Sequence, residues 1–183
     1  HYGIPFVGVE PGIKPAIAQT NNGIIGVMAT QATISSERYK VLSERLVRSH
    51  KVYNQPCPGL ADQVEAGEIS TQKTKKLLQD YIYPLQQKQV DTLVLGCTHY
   101  SFLSQEIRNL IGEKIKIVDT SQAIAEQVER VLKKEALLNS SHALSKKGQV
   151  SYYTSGSVQA ARQVMQRMLE HKVNVMHMNK INQ

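Results

Sequence analysis

The feature that most constrains this chain is a short apolar run, Thr92-Leu-Val-Leu95, that stops at Gly96 and passes into Cys97-Thr-His-Tyr-Ser101. A run that is apolar at consecutive positions must be covered on both faces, as happens in a parallel sheet between helices. Gly96 lets the backbone turn away closely. Ser101 can cap a helix whose apolar residues Leu103, Ile107, Leu110 and Ile111 follow at helical spacing. Cys97 therefore falls on a strand-to-helix loop, at the carboxyl end of a strand, where open α/β sheets bind ligands. A lone cysteine there is often a small buried hydrophobe. This one stands one residue from a hydroxyl and two from an imidazole, the setting in which a thiol can be used as thiolate.

The same grammar recurs along the chain. Ile4 to Val9 reads as a strand, and Glu10-Pro11-Gly12 as a turn or hinge. Ile13 to Thr20 predicts a helix and Gly23 to Met28 a buried strand ending at Thr30 and Thr33. Ser35 predicts the cap of a helix with Tyr39, Leu42 and Leu46 on one face. Lys51 to Asn54 is a short strand, Cys57-Pro58-Gly59 a turn before a helical segment with Val64 and Glu65, and Leu77 to Leu85 an amphipathic helix. After Cys97, Lys114 to Val118 predicts a further strand with Asp119 at its end, then a helix with Ile124, Val128, Val131 and Leu132. Residues 139–148 read as a linker. Val150 to Thr154, a helix with Val158 to Met168, and Lys172 to Met178 close the chain with strand, helix and strand. Alternating strands and helices imply an α/β parallel sheet with right-handed crossovers.

Composition narrows the function. The chain has 183 residues, 41% hydrophobic and 20% charged, enough for one full core and part of another. No apolar run approaches a membrane span and no signal-peptide pattern opens the chain, so a cytoplasmic protein is the expectation. Two cysteines without clustered partners make neither a disulfide framework nor a metal site. The net charge of +7 is spread over many segments and is read as solvated helix faces, not a nucleic-acid surface. His1 is not an initiating methionine and the chain enters an apolar stretch almost at once, which reads as a fragment.

Several motifs then agree in order. Phe6-Val-Gly-Val-Glu-Pro-Gly-Ile-Lys-Pro-Ala16, Gly26-Val-Met-Ala-Thr30-Gln-Ala-Thr33, Cys57-Pro-Gly-Leu with Val64-Glu65-Ala-Gly67-Glu68, Leu95 to Tyr100, and Tyr152-Tyr-Thr-Ser-Gly156 each resemble a segment of the cofactor-independent aspartate/glutamate racemases. The glutamate racemases match in particular, with Gly12 where alanine is more usual and Ser101 in place of a usual proline. The resemblance covers essentially the whole chain.

It implies two similar α/β domains, no cofactor, no metal, and interconversion of L- and D-glutamate by two opposed cysteines, supplying D-glutamate for peptidoglycan and cell-wall synthesis. By that resemblance Cys97 is one acid/base, working on the L-enantiomer, and His99 balances its proton. Glu65 orients His99, Thr98 hydrogen-bonds the substrate, and Thr30 and Thr33 contact its side-chain carboxylate. Residues 12–148 would be a complete second domain, with 1–11 and 149–183 belonging to the first. The family's other cysteine motif is not found, so the chain alone is expected to be inactive. An incomplete first domain should expose an apolar face, which leaves a homodimer open. Two other readings stay open: a non-catalytic ligand- or partner-binding α/β module, and a racemase of aspartate or hydantoins. A cysteine hydrolase lacks an identifiable oxyanion site.

Overall fold

The structure, a computed structural model, describes residues 3–46, 50–138 and 150–178; the linker read at 139–148 lies outside them. The described residues fall into two compact units, one within 3–64 and 68–138, the other within 65–67 and 150–178.

In the first unit, α1 (Ile13–Gln19) leads to β1 (Ile24–Ala29), α2 (Gln31–Ser35), α3 (Glu37–Leu46) and β2 (Lys51–Pro56). Then come α4 (Leu60–Glu65), whose last residue is grouped with the second unit, α5 (Gln72–Gln87), β3 (Thr92–Leu95), a 3-10 helix (Thr98–Leu103), α6 (Ser104–Ile111), β4 (Lys116–Val118) and α7 (Ser121–Lys134). The four strands form one parallel sheet in the order β2-β1-β3-β4. All four residues of β3 are buried, as its continuous apolar run requires. Alternation along β1 splits the core: Ile25, Val27 and Ala29 join Ile13, Ala16, Tyr39, Val94 and Val118 in one cluster. On the opposite side Gly26 leaves room for Leu85, Val90 and Leu93, each within 3.3 Å of where a Cβ would stand.

The strand order decides where a ligand can sit. The chain runs from β1 outward to β2, then returns across β1 to β3 and β4, so the direction of progress reverses between β1 and β3. Loops leaving the carboxyl ends of two such strands diverge and open a crevice. Thr30 and Cys97 follow those two ends, and the register aligns Met28 with Leu95. Gly96 N–H donates to Met28 O at 2.7 Å, and a Cβ at Gly96 would come within 3.0 Å of both that oxygen and the Ala29 Cβ. The glycine therefore permits close approach of the two loops.

In the second unit, β5 (Tyr152–Thr154), α8 (Val158–Leu169) and β6 (Val175–His177) form a parallel pair with its connecting helix. Ser157 caps α8, its Oγ accepting from Ala160 N–H at 3.3 Å. Only Val173 and Val175 are buried among its described hydrophobic residues, and Tyr153, Met176 and Met178 are exposed.

Several expectations are corrected. Ile4 to Val9 is not a strand: no neighbouring strand accepts its ladder among the described residues, and Ile4, Phe6 and Val9 are exposed. Ser101 does not cap a helix. The backbone tightens into the 3-10 helix straight after Cys97, so Cys97 is the residue before the turn and Ser101 lies inside it. Nor does Ser35 cap one. Thr30 caps α2 by accepting from Thr33 N–H at 3.1 Å, and Ser36 Oγ accepts from Tyr39 N–H at 3.3 Å at the start of α3.

Candidate active site

The carboxyl ends of β1, β3 and β4 enclose a cavity of about 410 Å³. Its walls include Thr30 and Thr33 after β1, Cys97, Thr98, His99 and Ser101 after β3, and Thr120 and Ser121 after β4. Glu10 and Pro11 close one side. Glu10 is fixed by Arg38, whose Nη2 and Nε reach Glu10 Oε1 at 2.7 and 3.2 Å.

Cys97 is half-buried, with its Sγ 3.6 Å from His99 Nδ1, within reach of a sulfur hydrogen bond. Extended backbone at Cys97 (φ −137°, ψ 135°) gives way to the 3-10 helix, which returns His99 beside the thiol two residues later. The turn is anchored from behind. Tyr100 and Leu103 are fully buried, Tyr100 N–H donates to Cys97 O at 3.0 Å, and Tyr100 Oη donates to Cys57 O at 3.3 Å. Burial holds the Tyr100 phenol well above its ordinary pKa, so it remains a donor.

On the opposite wall Thr30 and Thr33 are locked together. Thr30 Oγ1 accepts from Thr33 N–H, and the two hydroxyl oxygens lie 2.9 Å apart. Both hydroxyls are half-buried at the cavity, a geometry suited to a carboxylate.

Cys57 has the opposite character. It is 2% exposed, its Sγ donates to Gln55 O at 3.2 Å, and burial pushes its thiol up to about 12. Such a thiol stays protonated and faces the core, so it offers no second base to the cavity. Among the described residues no group of three or more His, Cys, Asp or Glu is placed to hold a metal ion, and no helix is long and apolar enough to cross a membrane.

Of the residues singled out in the sequence, Cys97, Thr98, His99, Thr30 and Thr33 line one cavity. Glu65 does not line it. The helix α4 presents Ala61 there, while Glu65, four residues on, is exposed at the helix end. Reading the sequence missed Thr120 and Ser121. Asp119-Thr-Ser follows β4 as Cys97-Thr-His follows β3, so the strand-end rule that found Cys97 could have found them too.

This arrangement places a thiol with an imidazole partner opposite paired hydroxyls, which suits proton transfer at a carbon held by its carboxylates. Comparison with known proteins gives the family. Glutamate racemase of Herpetosiphon aurantiacus is 45% identical over 156 residues, covering 85% of this chain and 60% of that protein. That of Ectopseudomonas mendocina is 38% identical over 172 residues, covering 94% and 64%. The chain thus spans less than two thirds of those relatives' lengths. Among solved structures, a glutamate racemase isoform of Bacillus anthracis superposes with a TM-score of 0.79 at 28% identity, covering 94% of this chain and 63% of that one. The Escherichia coli glutamate racemase, solved with L-glutamate and the activator UDP-MurNAc-ala, shares the fold with a TM-score of 0.77 at 24% identity, covering 96% and 65%. The sequence model described as Asp/Glu/hydantoin racemase matches residues 1–128, and the chain belongs to that family.

Proposed function

We propose that this chain carries one half of the acid/base machinery of a glutamate racemase, with Cys97 as the base on one face of the α-carbon. The observation that carries the reading is the Cys97 Sγ to His99 Nδ1 approach of 3.6 Å inside a cavity that also holds Thr30, Thr33 and Thr98. The Cys97 thiolate takes the α-proton: the C–H bond breaks, an S–H bond forms, and the electron pair delocalises into the α-carboxylate. His99 balances the charge at sulfur. Thr98 hydrogen-bonds the α-carboxylate side of the substrate and the Thr30–Thr33 pair its side-chain carboxylate. Glu65 remains a candidate orienting residue for His99 on motif alone. Inversion requires a second acid on the opposite face, since one group on one side cannot readily both remove and return the proton on different faces. Cys57 is excluded from that part by its burial. Reduced, unpaired Cys57 and Cys97 fit a cytoplasmic setting.

Substrate protection of Cys97 tests the substrate class. L- and D-glutamate should slow alkylation of Cys97 in a saturable way, and aspartate or hydantoins should do so less well. Equal or better protection by aspartate or a hydantoin would move the reading to those racemases, and no protection by any of them would remove the cavity as a substrate site.

A further inference from the structure

On its open side the turn that carries Cys97 and His99 is tied to the start of α7 by a chain of hydroxyls. Ser101, two residues after His99 and inside the same turn, places its Oγ 3.0 Å from Ser121 Oγ. Ser121 is in turn held by Asp119, whose Oδ1 accepts from both Ser121 N–H at 2.9 Å and Ser121 Oγ at 2.7 Å. The carboxylate settles the direction of the chain. With its proton committed to Asp119, Ser121 Oγ can only accept, so Ser101 is the donor to it. The bonds run Ser101 to Ser121 to Asp119, and the last is charge-assisted and therefore the strongest. Asp119 lies in the connection after β4, Ser121 is the first residue of α7 and Ser101 lies in the 3-10 helix after β3, so two separate segments bordering the cavity are joined at this point.

The buried side of the turn is already fixed by Tyr100 and Leu103. His99 stands between Cys97 and Ser101 in this turn, next to the anchored Tyr100. We propose that Ser121 is a positioning residue for proton transfer: through Ser101 it holds the Cys97–His99 turn in the geometry that pairs thiol and imidazole. The proposal rests on the racemase reading for its purpose, but its physical content is local and can be measured without turnover.

The experiment uses the rate at which a small alkylating agent modifies Cys97 in the intact chain, followed by mass spectrometry. Ser121→Ala and Ser101→Ala should each change that rate roughly three- to tenfold, the range a single lost hydrogen bond gives. The double variant should change it no more than either single one, because both remove the same bond. Ser121→Thr, which keeps the hydroxyl, should restore the rate. In a His99→Ala background Ser121→Ala should have no further effect. A general loosening of the fold would not be rescued by threonine and would persist without His99. Unchanged rates in both single variants, additive effects, or an undiminished effect in the His99→Ala background would overturn the proposal. Failure of glutamate to protect Cys97, with these couplings intact, would count against the racemase reading alone.

Discussion

Tyr100 and Cys57 are joined by a hydrogen bond from the buried phenol to the Cys57 carbonyl, 3.3 Å long and spanning 43 residues of sequence. Through it the loop that holds the buried Cys57 thiol supports the turn that presents the half-buried Cys97 thiol to the cavity. Tyr100→Phe removes that bond, leaving the Cys57 carbonyl with only the Leu60 N–H at 3.3 Å, and is expected to cost about 1 kcal/mol. A urea titration should show a lower midpoint with an unchanged slope, and an unchanged midpoint would mean that the bond does not support the turn.

The two thiols should separate cleanly. With burial pushing Cys57 up to about 12, its thiolate fraction at pH 8 is about one in ten thousand, and its sulfur is also shielded. Native protein should consume one equivalent of a thiol reagent quickly at Cys97 and the second only on unfolding. Peptide mapping checks the assignment, and first modification at Cys57 would contradict it.

Gly96→Ala should damage the site without touching any reactive group. Its Cβ would stand 3.0 Å from Met28 O and from the Ala29 Cβ, and backbone cannot swing away as a side chain can. Overpacking of this kind costs about 1–3 kcal/mol. Thermal unfolding should show that loss, together with a changed Cys97 alkylation rate in the folded variant, since the displaced residue adjoins the thiol.

Asp91 sits at the opposite, amino-terminal end of β3. Burial pushes its carboxyl up, but donors from Thr20, Asn22, Asn21 and Thr92 outweigh it, and the net pKa lies below the ordinary value. A carboxyl lowered in the folded state stabilises the fold above its unfolded pKa of about 4, and that stability is lost as pH falls through the folded value. Asp91→Asn should therefore cost about 1–2 kcal/mol at pH 7. The gap from the unaltered protein should narrow progressively below about pH 4. A gap that stays constant down to pH 2 would show that the charge contributes nothing.

How much of this was legible in the sequence depends on how local the cause is. The β3 run and its cysteine-bearing loop could be read because burial on both faces and a terminal glycine are written in consecutive residues. The pairing of Thr30 and Thr33 was readable as two hydroxyls at a strand end, though not their mutual locking. Ile4 to Val9 misled because a strand needs an edge to pair with, which no local pattern supplies. Ser101 reads as a cap because a hydroxyl before an apolar run commonly is one. The chain inserts a 3-10 helix there, and the hydroxyl reaches instead for Ser121, twenty residues away. The adjacency of β1 and β3, which creates the crevice, is likewise a long-range fact.

In the proposed mechanism Cys97 alone serves the cavity from one face. This is tested most directly by incubating the chain with L-glutamate in heavy water and following both α-deuteration by NMR and optical inversion by circular dichroism in one sample. Slow deuterium incorporation that vanishes in Cys97→Ala, with inversion at least a hundredfold below exchange, is the predicted result, since one acid/base group typically contributes about 10²–10⁴-fold. Inversion as fast as exchange, or exchange that survives Cys97→Ala, would contradict it.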